Sequence, residues 1–561
     1  MKKAVCVVLI ACMIHPLQQD TYGGTLKVGY QTPIETLDPH RIHIFYDDFY
    51  SSIAAVSQIF EGLVCYEQGS AMIQPSLAES WDISENGLVY TFHLREHVYW
   101  QDGNHIFADG ESRKVSAHDF VYAWNRVTAP ETLSPMGEFF EKTAKIASWR
   151  ARGNETFEVT LSQPNPGFLY MLPFPCFSVV PREIDEQYGL DMFSAHAVGT
   201  GPFELKTWSD TLFLSYNEDY WRGEPYLSGI EYFIYPSDEL AAAFSNSFLD
   251  VCTIPEPAWD QFDENTVLAV PNLEIVYIGM NCQNPPLTDE RVRQALNLAI
   301  DPGDAIMTFQ GKKVVKAVSL LPPGMICSRY PTQEDRYARD VEKARELLEE
   351  AGYTSNPRFT LHFLSFESYV QQQCNEIYTE QLKDIDVDVE VEYVDFGSLL
   401  NRVDSGEPQL FTLGWYVDWP YPDQFLLLFH SANWGPGGNS SFYMNKEVDS
   451  LIKTAGTTSD REEACRLYER IESLVMDDAP WILQWHPTTG YAVQEWINGF
   501  EPGGMGDCYL QLHSVWISSH HRQTTRIPPE PSSSSSSTSF YVMGGVIGIL
   551  CLVIVLLRWK K

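Results

Sequence analysis

Positive charge is what this 561-residue chain has least of. Its 38 Lys and Arg stand against 75 Asp and Glu, for a formal net charge of −37. Such a chain repels nucleic-acid phosphates and anionic lipid headgroups, which excludes both as partners. Familiar signatures of chemistry are missing as well. There is no P-loop, no Gly-x-Ser-x-Gly and no His-Glu-x-x-His, so nothing in the sequence points to nucleotide hydrolysis, a serine hydrolase or a zinc protease. The eleven cysteines include no Cys-x-x-Cys pair, which excludes the common zinc-site spacings. No repeat of a solenoid or propeller is present. The cofactor and metal expectation is therefore none.

What is present is globular. Hydrophobic residues make up 44% and charged residues 20%, and a chain this long divides into two or three domains. At the amino end, Lys2-Lys3 precede the apolar run Ala4 to Ala11, the pattern of an export signal over residues 1–20. Leu9-Ile10-Ala11-Cys12 also resembles a bacterial lipoprotein cleavage box, ending at Cys12. At the carboxyl end, residues 520–539 hold Pro528-Pro529-Glu530-Pro531 and the serines 532 to 537, the composition of a solvated linker. Residues 540–557 carry no charge and as a helix would span about 27 Å. A transmembrane helix is the expectation there. Arg558, Lys560 and Lys561 follow it, which orients the large domain outside. The four residues after the span are too few for a signalling domain, which counts against a transducing receptor.

Between the ends, helical and strand-like patterns interleave. Trp81 to Trp100 reads as a hairpin turning at Asn86-Gly87. Ser116-x-x-Asp119 is a capping box ahead of an apolar face formed by Phe120, Ala123, Trp124 and Val127. Further helices are predicted over 289–300, over 340–352 with Asp340 as cap, and from Ser459-x-x-Glu462 onward. Asp384, Asp386, Asp388, Glu390 and Glu392 alternate with Ile385, Val387, Val389 and Val391. That pattern predicts a half-exposed strand rather than a calcium loop. His93 and His97 share one face of a strand without forming a helical zinc pair. The fold class is α/β or α+β.

One stretch carries unusual chemistry: Gly414-Trp415-Tyr416-Val417-Asp418-Trp419-Pro420-Tyr421-Pro422-Asp423. Thr412 between Phe411 and Leu413 suggests a strand end, after which the prolines force a loop. A carboxylate among indole and phenol rings loses hydration, so Asp418 needs a cationic partner. That partner is either a group of the protein or the ammonium of a ligand.

The ordered motifs resemble those of the family 5 extracellular solute-binding proteins, the oligopeptide and dipeptide receptors of ABC importers. They are Leu37-Asp38-Pro39, Phe60-Glu61-Gly62-Leu63, Leu77 to Trp81, Ser116 to Arg126, Thr200 to Phe203, Asn217 to Trp221, Asn281 to Asp301, Glu342 to Gly352 and the Gly-Trp-x-x-Asp run at 414–418. The resemblance covers roughly residues 25 to 517. It implies a two-lobed periplasmic-binding-protein-like fold with a hinge and an additional domain. Carried over, lobe I takes 25–73, 198–280 and 485–519, the additional domain 74–197, and lobe II 281–484.

The resemblance also implies a function: an extracytoplasmic, monomeric receptor without enzymatic activity that closes on short peptides and delivers them to an ABC permease. Asp418 would receive the peptide's α-ammonium. The backbone of Gly414, Trp415 and Tyr416 and that of Glu61, Gly62 and Leu63 would pair with the peptide, and Tyr277 and Trp485 would line the pocket. The alternatives are a nickel, haem or oligosaccharide receptor of the same fold, or an exported hydrolase. The sequence also departs from the pattern. Where oligopeptide receptors carry cations for the ligand carboxylate it has Gln310, Tyr369 and Thr412. Where some relatives carry a disulfide it has Glu274 and Tyr416.

Overall fold

The structure is a computed structural model that describes residues 23–43, 50–101, 105–107, 112–310, 313–330, 332, 335–458 and 460–518. Its spine is a twelve-stranded mixed sheet. From one edge the strand order is Val387–Val394, Phe359–Phe366, Leu410–Tyr416, Glu274–Met280, Trp481–Val493, Val251–Thr253, Thr25–Tyr30, Gly229–Ile234, Leu212–Tyr216 and Phe203–Trp208. Val267–Pro271 and Val314–Lys316 pair beside Trp481–Val493.

Trp481–Val493 is the strand that makes this one sheet. Its first residues pair with Glu274–Met280 and with Val314–Lys316, and its last pair with Val267–Pro271 and Val251–Thr253. Strands from the two halves of the chain thus meet on one continuous ribbon. On one side, helices Glu290–Ala299, Val341–Glu350 and Tyr369–Lys383 pack with the sheet around a core that includes Val292, Leu296, Leu348, Tyr378 and Ile482. Apolar stripes at helical spacing produce this core. Asp289 and Asp340 accept backbone N–H bonds as N-caps, the latter from Lys343 at 2.9 Å.

A second, four-stranded antiparallel sheet stands apart, in the order Ala78–Ile83, Val89–Leu94, Thr156–Leu161, Ile146–Ala151. Gly87, with φ +66°, makes the turn of its first hairpin. Helix Ala117–Thr128 covers this sheet and carries the capping box of Ser116 and Asp119. Trp124, fully buried, meets Phe140, Trp149, Phe157 and Phe177 edge-on at ring distances of 4.9–5.9 Å.

The motifs that carry the family resemblance serve largely as bracing. Arg126, at the end of that helix, is buried and donates to Asp38 at 2.7 and 2.9 Å and to Asp185 at 2.6 Å. It thereby ties the additional sheet's helix to the Leu37-Asp38-Pro39 loop. The neighbouring His40 imidazole lies 3.1 Å from Arg126, and burial together with that guanidinium pushes it down to about 3.

Several expectations need correction. The fold class included a membrane span. Among the described residues no helix is long and apolar enough to cross a membrane, and residues 540–557 lie outside them. The longest described helix, Arg461–Asp478, carries Glu and Arg on its outer face, so no described helix supplies the span, and the described residues form the two-lobed fold. The export signal and the 520–539 linker also lie outside the described residues. The helix expected to open at Ser459 opens one residue later, with Asp460 accepting from Glu463 N–H at 2.8 Å. The acidic alternation forms the strand Val387–Val394, as its pattern predicts.

Cysteine pairing was not legible in sequence: Cys327 and Cys465, 138 residues apart, form a disulfide. Glu274 and Tyr416, where some relatives carry one, face each other directly across the sheet.

Candidate functional site

Strands Phe359–Phe366 and Leu410–Tyr416 run parallel. Their carboxyl ends therefore share one rim, the place where open α/β sheets take their ligands. Leu410–Tyr416 pairs along its whole length with Glu274–Met280. With Phe359–Phe366 it pairs only at Leu410 and Phe411, and beyond that point the two strands part. Val417 and Asp418 come next, followed by the proline loop.

Asp418 sits in that loop half-buried, its backbone N–H donating to Gln424 Oε1 at 3.3 Å. Burial is the single cause acting on its carboxyl and pushes it up to about 7. Among the described residues no cationic group offsets this. The choice left open by the sequence thus narrows: the protein supplies Asp418 with no countercharge there. Trp415 is half-buried beside it, and its indole nitrogen is shut from solvent without a hydrogen-bond partner. The Tyr416 hydroxyl reaches across to Tyr50 Oη at 3.4 Å, and burial pushes the Tyr416 phenol up. Gly414 faces Val276 on the paired side.

The other expected site residues lie elsewhere. Tyr277 is 3% exposed and stacks on Trp481 at 3.5 Å with an interplanar angle of 10°. Trp485 is 4% exposed and belongs to the helix-covered core. Both side chains are buried in this structure. Glu61, Gly62 and Leu63 have their carbonyls already taken. Glu61 accepts from Val179 N–H at 3.0 Å, Gly62 from Leu77 N–H at 3.2 Å, and Leu63 from Ser76 and Ala78 N–H. The Glu61 side chain is buried and accepts from Thr200 Oγ1 at 2.9 Å, Tyr220 Oη at 3.0 Å and Trp221 Nε1 at 2.9 Å. Burial raises its carboxyl, against the pull of Arg222 and these donors. Beside them a cavity of about 30 Å³, lined by Glu61, Gly62, Cys65, Tyr66 and Tyr509 among others, has room for one water.

Sequence reasoning missed a second carboxylate. Asp423 opens the short helix Asp423–Leu426, and burial pushes it up to about 7 against the indole of Trp419 and the N–H of Gln424. Asp423 Oδ1, Trp419 Nε1 and Tyr468 Oη are all shut from solvent without a hydrogen-bond partner. Alternating prolines and aromatics mark the loop in sequence, but nothing there shows which carboxylate remains unmet.

A sheet running through one bridging strand, a separate additional sheet and a carboxylate loop at the strand ends fit a two-lobed α/β binding-protein fold. The chain belongs to the bacterial extracellular solute-binding proteins, family 5, whose "Middle" description it matches over residues 72–436. Similar curated proteins include the dipeptide-binding protein of Escherichia coli (strain K12), 27% identical over 82% of this chain and 89% of that one. The glutathione-binding protein GsiB of Salmonella typhimurium is 30% identical over 80% and 86%. Among solved structures, the unliganded open form of the murein tripeptide binding protein MppA superposes with a TM-score of 0.79 at 23% identity, covering 90% of this chain and 100% of that one.

Proposed function

We propose that the protein is the substrate-binding receptor of an ABC importer, binding short peptides through their free amino terminus and handing them to the permease. Residues 25–73, 198–280 and 485–519 form one lobe and 281–484 the other, with 74–197 as the additional domain. The lobes close on the ligand by twisting about the strands they share. The protein acts as a monomer and does no chemistry on the peptide.

One observation carries this reading: Asp418, a desolvated carboxylate in the aromatic loop at the strand ends, with no cation of the described residues to meet it. A peptide α-ammonium supplies that charge. At the end of strand Leu410–Tyr416, beyond its pairing with Phe359–Phe366, the backbone of Trp415 and Tyr416 stands where an extended peptide would run. Main-chain contacts hold many sequences alike. The names of the dipeptide- and glutathione-binding relatives support the ligand class, since both ligands carry an α-ammonium.

Calorimetric titration with dialanine, a tetrapeptide and glutathione, each free and N-acetylated, tests it. Free-amino ligands should bind, and acetylated ones should lose most of their affinity. Asp418→Asn should cost about 2–5 kcal/mol, roughly thirtyfold to several-thousandfold in Kd. Equal binding of free and acetylated ligand, or of wild type and Asp418→Asn, would remove the anchor.

A further inference from the structure

The backbone around Asp418 is loosely held, and the rings beside it lean on the additional domain. Val417 N–H donates to Leu273 O at 3.2 Å and Asp418 N–H to Gln424 Oε1 at 3.3 Å, both at the long end for such bonds. The Trp419 indole nitrogen has no hydrogen-bond partner among the described residues. Packing alone therefore fixes this indole, which is 7% exposed. Trp419 meets Phe139 edge-on at 6.3 Å, Phe139 meets Phe177 at 6.2 Å, and Phe177 meets Trp124 at 5.3 Å. A continuous row of rings thus leads from the core of the additional domain to the residue next to Asp418. Tyr421 widens the contact. It lies over Tyr170 at 5.0 Å on that side and meets Tyr468 edge-on at 5.8 Å on the other.

Gly167 shows that the fit is specific. Its backbone, at φ −76° and ψ −7°, lies in the right-handed region open to any residue, so no turn calls for a glycine there. What a side chain would meet is Trp419. A Cβ at 167 would stand 3.0 Å from Trp419 Nε1 and 3.5 Å from its Cδ1, and a close-packed ring has to move to admit it. Tyr170 is fixed from its own side: it is 7% exposed, and its carbonyl accepts from Tyr66 Oη at 2.6 Å.

We propose that Gly167 and Tyr170 of the additional domain are positioning residues for ligand binding. They seat Trp419 and Tyr421, and through these rings they hold Asp418 where a peptide's α-ammonium meets it. The proposal rests on the reading of Asp418 as the anchor. A binding group has to be held to within about 0.5 Å of its working position, and here that support comes from outside both lobes. Ligand affinity is then set in part by residues that never touch the ligand.

The test reads the loop and the ligand separately, in the full chain. Hydrogen exchange over residues 415–424 of the ligand-free protein reports the loop. Gly167→Leu and Tyr170→Ala should speed it by about tenfold or more, with exchange in helix Val341–Glu350 unchanged. Calorimetric titration with dialanine reports the ligand. The same two variants should bind it about tenfold or more weakly, with Tm within about 2 °C of wild type. Tyr170→Phe keeps the ring and should match wild type in both measurements. Gly167→Ala intrudes less and should shift both in the same direction, which keeps the test usable should Gly167→Leu fail to fold. Unchanged exchange at 415–424, unchanged dialanine affinity, or weak binding by Tyr170→Phe would each overturn the proposal. So would weaker binding that comes with faster exchange throughout the chain, the mark of a merely structural role. Equal binding of dialanine and N-acetyl-dialanine by wild type would sink the anchor instead, and the exchange measurement on ligand-free protein still judges the seating of the loop.

Discussion

The two stretches that the sequence nominates for backbone contact with a peptide are chemically opposite. At Glu61-Gly62-Leu63 every carbonyl has a donor and the buried carboxylate has three. At 415–423 two carboxylates lack a countercharge, and two indole nitrogens are shut away unmet. A buried polar group that has its partners stiffens the structure around it, and one that lacks them carries a standing cost. The first stretch is a joint that ties residues 61–63 to residues 76–78 and 179. The second stores unfavourable energy that only an incoming group, or a proton, can relieve.

The comparison breaks most visibly at Glu61. Glu61→Ala leaves Thr200, Tyr220 and Trp221 without their acceptor and should lower unfolding stability by about 3 kcal/mol in a urea titration. Loss of ligand affinity without loss of stability would reverse the roles assigned to the two stretches.

Asp418 gives the opposite sign. Its folded-state carboxyl is raised from 3.8 to about 7, so the folded chain holds that proton more tightly than the unfolded one. Ligand-free stability therefore falls as pH rises from about 4 to 7 and stays lower above that. Asp418→Asn removes this cost. After allowance for partial solvent screening it should gain about 1–3 kcal/mol at pH 8 and nothing at pH 4. Thermal unfolding at the two pH values checks it, and destabilisation at pH 8 would mean the carboxylate has a partner after all.

The smallest effect sharpens the border between the two stretches. Tyr416 and Tyr50 hydroxyls meet at a long 3.4 Å, so Tyr416→Phe should change stability by no more than about 0.5 kcal/mol. A larger loss would show that this contact holds the lobes together before ligand arrives.

Much of the frame was legible because local rules fix it. The Ser116 capping box, the Asn86-Gly87 turn and the valine alternation of 387–394 each specify an element by its own chemistry. The site was legible only in part. Asp418 stood out because a charge among rings is rare. Tyr277 and Trp485 lie in strands buried on both faces, which have no polar alternation to show which side meets a ligand. The use of the 61–63 carbonyls could not be read, since backbone hydrogen bonding leaves no mark on side-chain identity. Nor could the pairing of Cys327 with Cys465, because sequence spacing says nothing about which distant thiols meet.

The bridging strand Trp481–Val493 sets the order in which the molecule can be completed. Strands Val251–Thr253 and Val267–Pro271 wait for its last residues, and roughly two hundred residues are synthesised in between. An emerging chain therefore carries these strands with a raw sheet edge until nearly everything else has been made. Such an edge invites mispairing, so a factor that shields nascent strands would serve this protein longest at its first half.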